Sequence, residues 1–312
     1  RPEPEPKPNP YPSPKPNPKP KPKPKPKPKP NPNPNPNPNP MPIAASPKKE
    51  HIVILGAGWA GFILAKNIDK AKHRVTVVSP RNHFLFTPLL PSTAVGTLEF
   101  RCIQEPVRTI RGVRYLQAKA RDLDVAGKTL RCEDTYRRER FELAYDRLVL
   151  AVGTMTNTFG VPGVAHGRNN VFFLKQLSHA RAIRNRIVEC FERAGYPSAS
   201  EDERRRLLHF VIVGGGPISV EFAGELNDFL RRDLSVWYPD LKGYIKVTLV
   251  EATDHLLGTF DSRLVAYVER LMAKREFAVR TETSVQKVDE KRVYLSDGST
   301  LECGMVVWST GV

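Results

Sequence analysis

Two stretches of the chain share one succession of hydrophobic and polar positions. The apolar run His51-Ile-Val-Ile-Leu55 leads into the glycine-rich turn Gly56-Ala-Gly-Trp-Ala-Gly61 and then into an apolar helical segment. The run His209-Phe-Val-Ile-Val213 leads in the same way into Gly214-Gly-Gly-Pro-Ile-Ser219. A short continuous apolar run predicts a buried strand of a parallel sheet. The sequence therefore predicts an α/β fold with two Rossmann-like dinucleotide-binding domains.

Each glycine of the first turn has a separate physical reason. Gly56 permits the tight turn, Gly58 lets a pyrophosphate approach the backbone, and Gly61 lets the helix pack closely on the strand. The N–H groups of the helix N-terminus then favour an anion. Ser219 replaces the third glycine in the second turn. We expect a looser but tolerable fit there, with no requirement for the serine hydroxyl.

Strand patterns also recur after each turn. Three alternating segments predict a short antiparallel meander in the first half: Val113–Ala120, Arg121–Cys132 and Arg140–Asp146. Val293–Leu301 predicts a hairpin with Asp297-Gly298 at its tip. The apolar segment Asn82–Pro91 is interrupted by two prolines, so we expect neither a helix nor a regular strand there.

A buried strand that ends in a glycine turn closes each half. These two strands are Arg147-Leu-Val-Leu-Ala-Val-Gly153-Thr154 and Met305-Val-Val-Trp-Ser-Thr-Gly311. The complete pattern therefore occurs twice, which favours two dinucleotide sites over two unrelated glycine turns. We assign residues 48–165 to the first dinucleotide-binding domain and residues 166–312 to the second.

The N-terminal segment, residues 1–47, has a different composition. Proline occupies every even position from Pro2 to Pro42, which predicts a disordered, extended polyproline tail. A spacer, a ligand for proline-recognising domains and a basic arm for acidic surfaces are the alternatives for its role. The tail has neither the apolar core of a signal peptide nor the Ser and Arg content of a transit peptide.

Charge and cysteine content exclude several classes of function. The net charge is +16, but residues 1–50 contain eleven Lys or Arg and three Glu, so half of the excess lies in or next to the tail. Basic residues are not interleaved with aromatic ones, so nucleic acid is not an expected partner. The four cysteines are far apart in sequence and have no metal-ligand spacing, so no metal site is predicted. Reduced cysteines and an intracellular compartment are expected.

A longer set of motifs resembles the type II NADH:quinone oxidoreductases, the single-subunit alternative NADH dehydrogenases. The matching segments follow in the family's order: Gly56–Gly61, Ser79–Pro91 with Val95–Thr97, Ala151–Thr154 with Asn157–Gly163, Gly214–Glu225, and Thr248–Glu251. The string Ser79-Pro-Arg-Asn-His-Phe-Leu-Phe-Thr-Pro-Leu-Leu-Pro91 is the most specific of them. Ile218 and Ser219 depart from the Thr-Gly that the family usually has.

This resemblance implies FAD in the first domain. The residues expected to contact it are Gly56, Gly58, Trp59, Ala60, Gly61, Ser79, Pro80, Arg81, Thr87, Pro88, Ala151, Gly153 and Thr154. The glycine turn would bind the pyrophosphate, while Ser79 and Arg81 would lie at the adenosine end.

The resemblance implies NADH in the second domain. The residues expected there are Gly214, Gly216, Pro217, Ile218, Glu251, Thr310 and Gly311. Glu251 follows the second strand of its domain, where a carboxylate accepts hydrogen bonds from ribose hydroxyls. Glu221 is the expected catalytic residue, for orientation or proton relay, although a carboxylate in a first helical turn also complements the helix dipole.

The family continues for well over a hundred residues beyond the position of Val312, so the chain is expected to be C-terminally truncated, the N-terminal two thirds of such an enzyme. The quinone site and the helices for peripheral contact with the mitochondrial inner membrane are expected in the missing part, and a homodimer is expected. The isolated 312-residue chain is not expected to reduce quinone at a rate typical of the family. Two alternatives remain: another pyridine nucleotide-dependent flavoprotein reductase, and a non-catalytic dinucleotide-binding or interaction protein.

Overall fold

Two parallel β-sheets form the centre of the part of the chain described by the computed structural model, residues 49–275 and 277–311. The predicted tail, residues 1–47, lies outside the described residues. The strands of the first half are β1 (Glu50–Leu55), β2 (His73–Val78), β3 (His83–Leu85), β4 (Gln104–Pro106), β5 (Val113–Leu116), β6 (Ala118–Asp124), β7 (Thr129–Asp134), β8 (Arg140–Ala144) and β9 (Arg147–Leu150). Those of the second half are β10 (Val171–Phe173), β11 (His209–Val213), β12 (Lys246–Val250), β13 (Ala278–Arg280), β14 (Val285–Val288), β15 (Arg292–Leu295), β16 (Thr300–Glu302) and β17 (Met305–Trp308).

The helices lie between these strands. They are α1 (Trp59–Asn67), α2 (Leu90–Val95), α3 (Leu177–Gly195), α4 (Glu201–Leu207), α5 (Pro217–Asp228), α6 (Ser235–Trp237) and α7 (Ser262–Lys274). A π-helical segment, Phe229–Leu234, joins α5 to α6. Short 3₁₀ turns cover Thr87–Leu89, Phe100–Ile103, Val107–Thr109 and Pro239–Tyr244. Within the described residues, no helix is both long and apolar enough to span a membrane.

The two parallel sheets repeat one topology. The first has the order β5-β2-β1-β9, and the second has the order β13-β12-β11-β17 with β10 added beyond β17. In each, the strand before the glycine turn is central and pairs in parallel with the next strand of its half and with the closing strand. The repeated α/β pattern predicted from the sequence is confirmed.

A buried histidine–threonine pair marks the same register in both sheets. The ring nitrogen Nε2 of His51 lies 2.9 Å from the Thr76 hydroxyl, and that of His209 lies 2.7 Å from the Thr248 hydroxyl. The His209 ring also donates through Nδ1 to the Glu302 carbonyl oxygen at 2.6 Å. Burial lowers the pKa of His209 to about 4. Both ring nitrogens of this neutral imidazole therefore have partners in the sheet.

Two sequence predictions need correction. Val113–Leu116 does not begin the meander; it is β5, which pairs in parallel with β2, while β6, β7 and β8 form the antiparallel meander. Alternation alone does not distinguish a parallel edge strand from an antiparallel one, and here the buried Tyr115 fixes the pairing through a 3.0 Å hydrogen bond from its hydroxyl to the Ser79 carbonyl.

The segment Asn82–Pro91 is also more regular than predicted. It contains strand β3 and the start of α2, with Pro91 in the first turn of that helix. Proline is tolerated there because the first N–H groups of a helix have no intrahelical partner. The two prolines therefore start helical turns instead of preventing them.

Helix α2 belongs to the first half in sequence but packs against α3 and α5 of the second half. Its buried residues Leu90, Ala94 and Val95 share one hydrophobic cluster with residues such as Ile183 and Phe222. Burying such side chains contributes about 1.5–3 kcal/mol each for the larger ones. Helix α2 is therefore part of the core of the second half, which joins the two halves.

Candidate functional site

The first glycine turn lies at the carboxyl end of β1, beside the ends of β2 and β9. Gly56 has φ +112° and its N–H donates to the Val78 carbonyl at 2.8 Å. A Cβ at Gly56 would lie 2.1 Å from the Ala151 carbonyl oxygen, and one at Gly61 would lie 2.0 Å from the Gly56 carbonyl oxygen. Both positions therefore require glycine, as the motif predicts.

Gly58 differs from its neighbours because a Cβ there would meet only the Arg81 guanidinium, at 3.7 Å. Gly58 is the N-cap of α1, so free backbone N–H groups and the positive end of the helix dipole lie beside that cation. The Arg81 Nε is buried and has no hydrogen-bond partner among the described residues. An anion such as a pyrophosphate fits this arrangement.

Other groups orient Arg81 and the residues around it. Its Nη1 donates to the Gln176 Oε1 at 3.0 Å, and its backbone N–H donates to the Ser79 hydroxyl at 3.2 Å. Burial lowers the pKa of Arg81. Burial and the Arg81 charge lower the pKa of the neighbouring His83. Its Nε2 is buried and has no hydrogen-bond partner within the described part of the chain. Pro80 is exposed, and its carbonyl accepts from Gln117 at 3.2 Å.

Trp59 connects the turn to the 3₁₀ segment that precedes α2. Its indole N–H donates to the Thr87 hydroxyl at 3.1 Å, and its ring packs edge-on against Phe84 at 4.9 Å between centroids. Ala60 and Pro88 are exposed nearby in sequence. The structure thus joins the first-site residues of α1 to those of the 87–88 turn.

The turn Gly153-Thr154 completes this edge and is exposed. The Lys175 ammonium donates to the Thr154 hydroxyl at 2.7 Å, and burial lowers the Lys175 pKa. Sequence reasoning missed Lys175 and Gln176. Their signal is positional, because they directly follow the short apolar run of β10, and ligands of α/β sheets bind beyond the carboxyl ends of strands.

The second glycine turn has the same geometry at the end of β11. Gly214 has φ +112°, and its N–H donates to the Val250 carbonyl at 2.8 Å. A Cβ at Gly216, the N-cap of α5, would meet no atom within 4 Å, so open space lies in front of the helix N-terminus. The first two residues of α5, Pro217 and Ile218, are exposed and partly buried respectively.

Glu251 lies at the end of β12 against this turn. Its carboxylate accepts hydrogen bonds from the Gly215 N–H, and from the Thr253 N–H at 2.7 Å and hydroxyl at 2.9 Å. A Cβ at Gly215 would lie 2.8 Å from this side chain. The turn and the carboxylate are therefore in direct contact.

The Ser219 hydroxyl makes a structural contact that the sequence did not indicate. The residue is completely buried, and its hydroxyl donates to the Ser309 carbonyl at 3.2 Å. Thr310 lies next to that carbonyl, and its Cβ is 3.0 Å from the position that a Cβ at Gly214 would occupy. Serine therefore fills the place of the third glycine and ties α5 to the end of β17.

The two candidate sites meet at Asn157. Its N–H donates to the Gly311 carbonyl at 2.8 Å, and its carbonyl accepts from the Trp308 indole at 3.0 Å. Gly311 has φ +73°, and a Cβ there would lie 2.7 Å from the Asn157 Cβ. The exit loop of the first half is thus bound to the closing turn of the second half.

Glu221 lies in the first turns of α5 and makes no hydrogen bond with the described residues. Although solvent reaches its side chain, the surrounding protein and then the nearby Glu225 raise the pKa of its carboxyl. Glu225 itself accepts from the Ser92 hydroxyl at 2.9 Å and the Thr97 hydroxyl at 2.8 Å. These bonds connect α5 to α2 and its C-terminal turn, a contact that the sequence motif alone did not indicate.

The four cysteines differ in burial. Cys132, Cys190 and Cys303 are buried and free, and burial raises their pKa to about 11, 11 and 12. Cys102 is free and exposed. Thiols with raised pKa are poor nucleophiles. The described residues also contain no group of three metal-ligating side chains.

Comparison with known proteins agrees with this geometry. The sequence matches the pyridine nucleotide-disulphide oxidoreductase family over residues 50–312. It is 46% identical over 270 residues to a probable NADH dehydrogenase of Dictyostelium discoideum, covering 85% of this chain and 59% of that protein. It is 44% identical over 275 residues to the mitochondrial external NADH-ubiquinone oxidoreductase 2 of Saccharomyces cerevisiae, covering 85% and 50%.

A solved structure is similar as well. NDH2 from Plasmodium falciparum, in complex with NADH, superposes with a TM-score of 0.82 at 33% identity, over 85% of this chain and 55% of that one. The chain thus spans between half and three fifths of the length of these relatives. FAD and NADH are typical of the flavoprotein family to which these matches belong. The chain belongs to the pyridine nucleotide-disulphide oxidoreductase family, and its resemblance within that family to the type II NADH dehydrogenases is confirmed.

Proposed function

We propose that this chain forms the two-nucleotide part of an FAD-dependent NADH dehydrogenase that delivers electrons to a quinone. The observation that carries the proposal is the duplicated glycine cradle. By this we mean each glycine turn, Gly56–Gly61 or Gly214–Ser219, together with the N-terminus of the helix that begins within it. Two turns, each with φ +112° at its first glycine, lie at the carboxyl edges of two parallel sheets, and helix α2 of the first half packs into the core of the second. Such edges bind dinucleotides, and two of them in one unit fit a donor and an acceptor.

The first cradle fits FAD on physical grounds. It offers open backbone at Gly58, a helix N-terminus, and the orphaned buried Nε of Arg81. Gly56, Gly58, Ala60 and Gly61 would hold the pyrophosphate. The other residues expected at the first site would contact the rest of FAD: Trp59, Ser79, Pro80, Arg81, Thr87, Pro88, Ala151, Gly153 and Thr154. When bound, FAD supplies a group that takes a hydride from NADH and passes electrons on singly or in pairs.

The second cradle fits NADH. Gly214, Gly216, Pro217 and Ile218 would hold its phosphates at the N-terminus of α5, Glu251 its adenosine ribose, and Thr310-Gly311 its outer edge. Glu251 repels a 2′-phosphate, so NADH is the expected substrate. Glu221, with its raised pKa, would orient the nicotinamide or hold a proton. Lys175 would keep a fixed positive charge at the Thr154 edge of the first cradle.

The relatives support the physiological part of the proposal. The Saccharomyces cerevisiae protein is named as a mitochondrial NADH-ubiquinone oxidoreductase. We therefore place this chain in mitochondria, at the periphery of the inner membrane, with a quinone as acceptor and as a homodimer. Sedimentation velocity measures the last of these directly, and a monomer at micromolar concentration would contradict it.

The test separates the two cradles. The purified chain is incubated with FAD, the retained flavin is measured by its visible absorbance, and NADH is added without oxygen to follow bleaching. Gly58→Val should abolish flavin retention, while Gly216→Val should retain flavin but lose bleaching by NADH. Gly195→Val is the matched control, because Gly195 ends α3 with no atom near its Cβ position.

Wild-type chain that retains no flavin at saturating FAD would favour the non-catalytic alternative. A flavin that is bleached by NADPH in preference to NADH would favour another reductase of this fold. Paired thiols are a third possibility for this fold, and the four free cysteines, three of them buried, speak against them.

A further inference from the structure

Helix α7 has a second apolar face that the fold does not cover. Its buried face carries Val265 and Met272, which pack on the protein. Separate from them, four large apolar side chains are 36–58% exposed: Phe260 and, in the helix, Leu264, Tyr267 and Leu271. Spacings of three and four residues place Leu264, Tyr267 and Leu271 on one line along the helix, and Phe260 lies just before the helix begins. Contiguous exposed apolar surface of this kind marks an interaction site.

A row of cations follows one edge of this stripe. Arg263 directly precedes Leu264, Arg270 directly precedes Leu271, and Lys274 lies one turn after Arg270. All three are exposed. Arg263 contacts the N-cap Asp261 at 3.2 Å, whereas Arg270 and Lys274 form no ion pair with the described residues. The row therefore keeps an uncompensated positive charge beside the apolar stripe.

We propose that α7 is a docking surface for an anionic lipid bilayer. A helix lies in the plane of a membrane interface when an apolar face enters the acyl boundary and a cationic edge meets anionic headgroups. The aliphatic stems of Arg and Lys extend the apolar surface while their charged ends reach the phosphates. The helical part of the stripe, from Leu264 to Leu271, is about 10 Å long at 1.5 Å per residue, which suits a shallow contact that assists another anchor.

Charge decides against an antiparallel pair with a second copy of this chain as the occupant. In a symmetric pair of antiparallel helices, each edge of the apolar stripe faces the same edge of the partner helix. The row formed by Arg263, Arg270 and Lys274 would then face the same row of the partner helix, and like charges would repel. An anionic lipid surface complements the same row. The surface lies outside both glycine cradles, so this inference does not depend on the nucleotides that occupy them.

Vesicle co-sedimentation of the 312-residue chain tests the apolar stripe. The vesicles contain phosphatidylcholine alone or phosphatidylcholine with phosphatidylglycerol. The triple variant Leu264→Gln/Tyr267→Gln/Leu271→Gln should bind mixed vesicles on the order of tenfold more weakly than the wild type, because partial immersion of three apolar side chains is lost. Val125→Gln, which changes a 71% exposed valine in the β6–β7 turn, is the matched control and should bind like the wild type.

A second pair of changes tests the cationic row. Arg270→Gln/Lys274→Gln should weaken binding to mixed vesicles roughly tenfold and leave binding to neutral vesicles unchanged. The basic tail is present in every variant, so its own attraction to the vesicles cancels in the comparison. Circular dichroism verifies that each variant is folded.

Two results would overturn the proposal. In one, the triple variant binds mixed vesicles as tightly as Val125→Gln does. In the other, the triple variant changes the sedimentation coefficient in the absence of lipid, which would make a second protein copy the occupant. Neither measurement uses NADH or FAD, so failure here is distinct from failure of the proposed dehydrogenase function.

Discussion

Glu225→Ala should weaken the contact between the two halves of the molecule without changing either glycine cradle. Its carboxylate accepts from Ser92 at 2.9 Å and from Thr97 at 2.8 Å, across the contact between α5 and the α2 segment. A hydrogen bond to a charged group contributes about 1.5–3 kcal/mol when buried. Thr97 is exposed, so water replaces most of its bond. We expect the free energy of unfolding to fall by about 2–3 kcal/mol.

The individual bonds can be apportioned by a double-mutant cycle. Ser92→Ala should cost about 1.5 kcal/mol and Thr97→Val less than about 1 kcal/mol, because only Ser92 is substantially shielded. The coupling energy between Ser92→Ala and Glu225→Ala should be about 1–2 kcal/mol. Urea unfolding followed by circular dichroism measures each value. Glu201→Ala is the control, since Glu201 has only a surface ion pair with Arg205 and should cost less than about 0.5 kcal/mol.

A coupling energy near zero would refute the reasoning, as would a Glu225→Ala cost equal to that of Glu201→Ala. Glu225→Gln gives a further readout, because glutamine keeps the contacts but removes the charge. The pKa of Glu221, followed by carbon NMR of its carboxyl, should fall in this variant, since Glu225 is a cause of its elevation. An unchanged titration would show that the two carboxylates do not interact.

Three further predictions follow from single contacts. Ser219→Gly should lower the free energy of unfolding by about 1–2 kcal/mol, because the hydrogen bond to Ser309 is lost and a glycine enters a helix. NADH affinity, measured by fluorescence titration, should stay within about twofold of the wild-type value. A large loss of affinity would instead show that the hydroxyl binds the ligand. Glu251→Ser should reduce the preference for NADH over NADPH at least about tenfold in paired titrations, and an unchanged ratio would remove Glu251 from the ribose site. The pKa of His209 is lowered to about 4 in the folded protein, so below pH 6.5 the unfolded chain takes up a proton that the folded protein does not bind until about pH 4. The free energy of unfolding should therefore fall by about 3 kcal/mol over that window. An equal dependence of stability on pH in His209→Gln would contradict this.

The glycine turns could be predicted from sequence because their geometry is local. A strand, a glycine with positive φ and a helix N-cap occupy adjacent positions, so Gly56 and Gly214 identify themselves without tertiary information. The carboxylate at Glu251 follows from strand order alone. These features depend on short-range backbone sterics, which the order of neighbouring residues determines.

The contacts between the halves could not be predicted in this way. Lys175 binds Thr154 and Glu225 binds Ser92 only because two distant segments share a core, and nothing in the spacing of these residues encodes that packing. The parallel pairing of β5 was missed for the same reason, since alternation describes which faces are buried but not which strand is adjacent. Tertiary packing decided each of these cases.

The crossing of α2 into the second half limits how this molecule can be recombined with its relatives. A chimaera joined near residue 165 would pair α2 from one parent with α3 and α5 from the other. Leu90, Ala94 and Val95 would then meet side chains selected for a different neighbour, at interior packing density that tolerates little change in volume. A functional exchange of nucleotide modules should therefore carry α2, residues 90–95, together with the second half and leave Thr87 and Pro88 with the first, as a graft that is discontinuous in sequence.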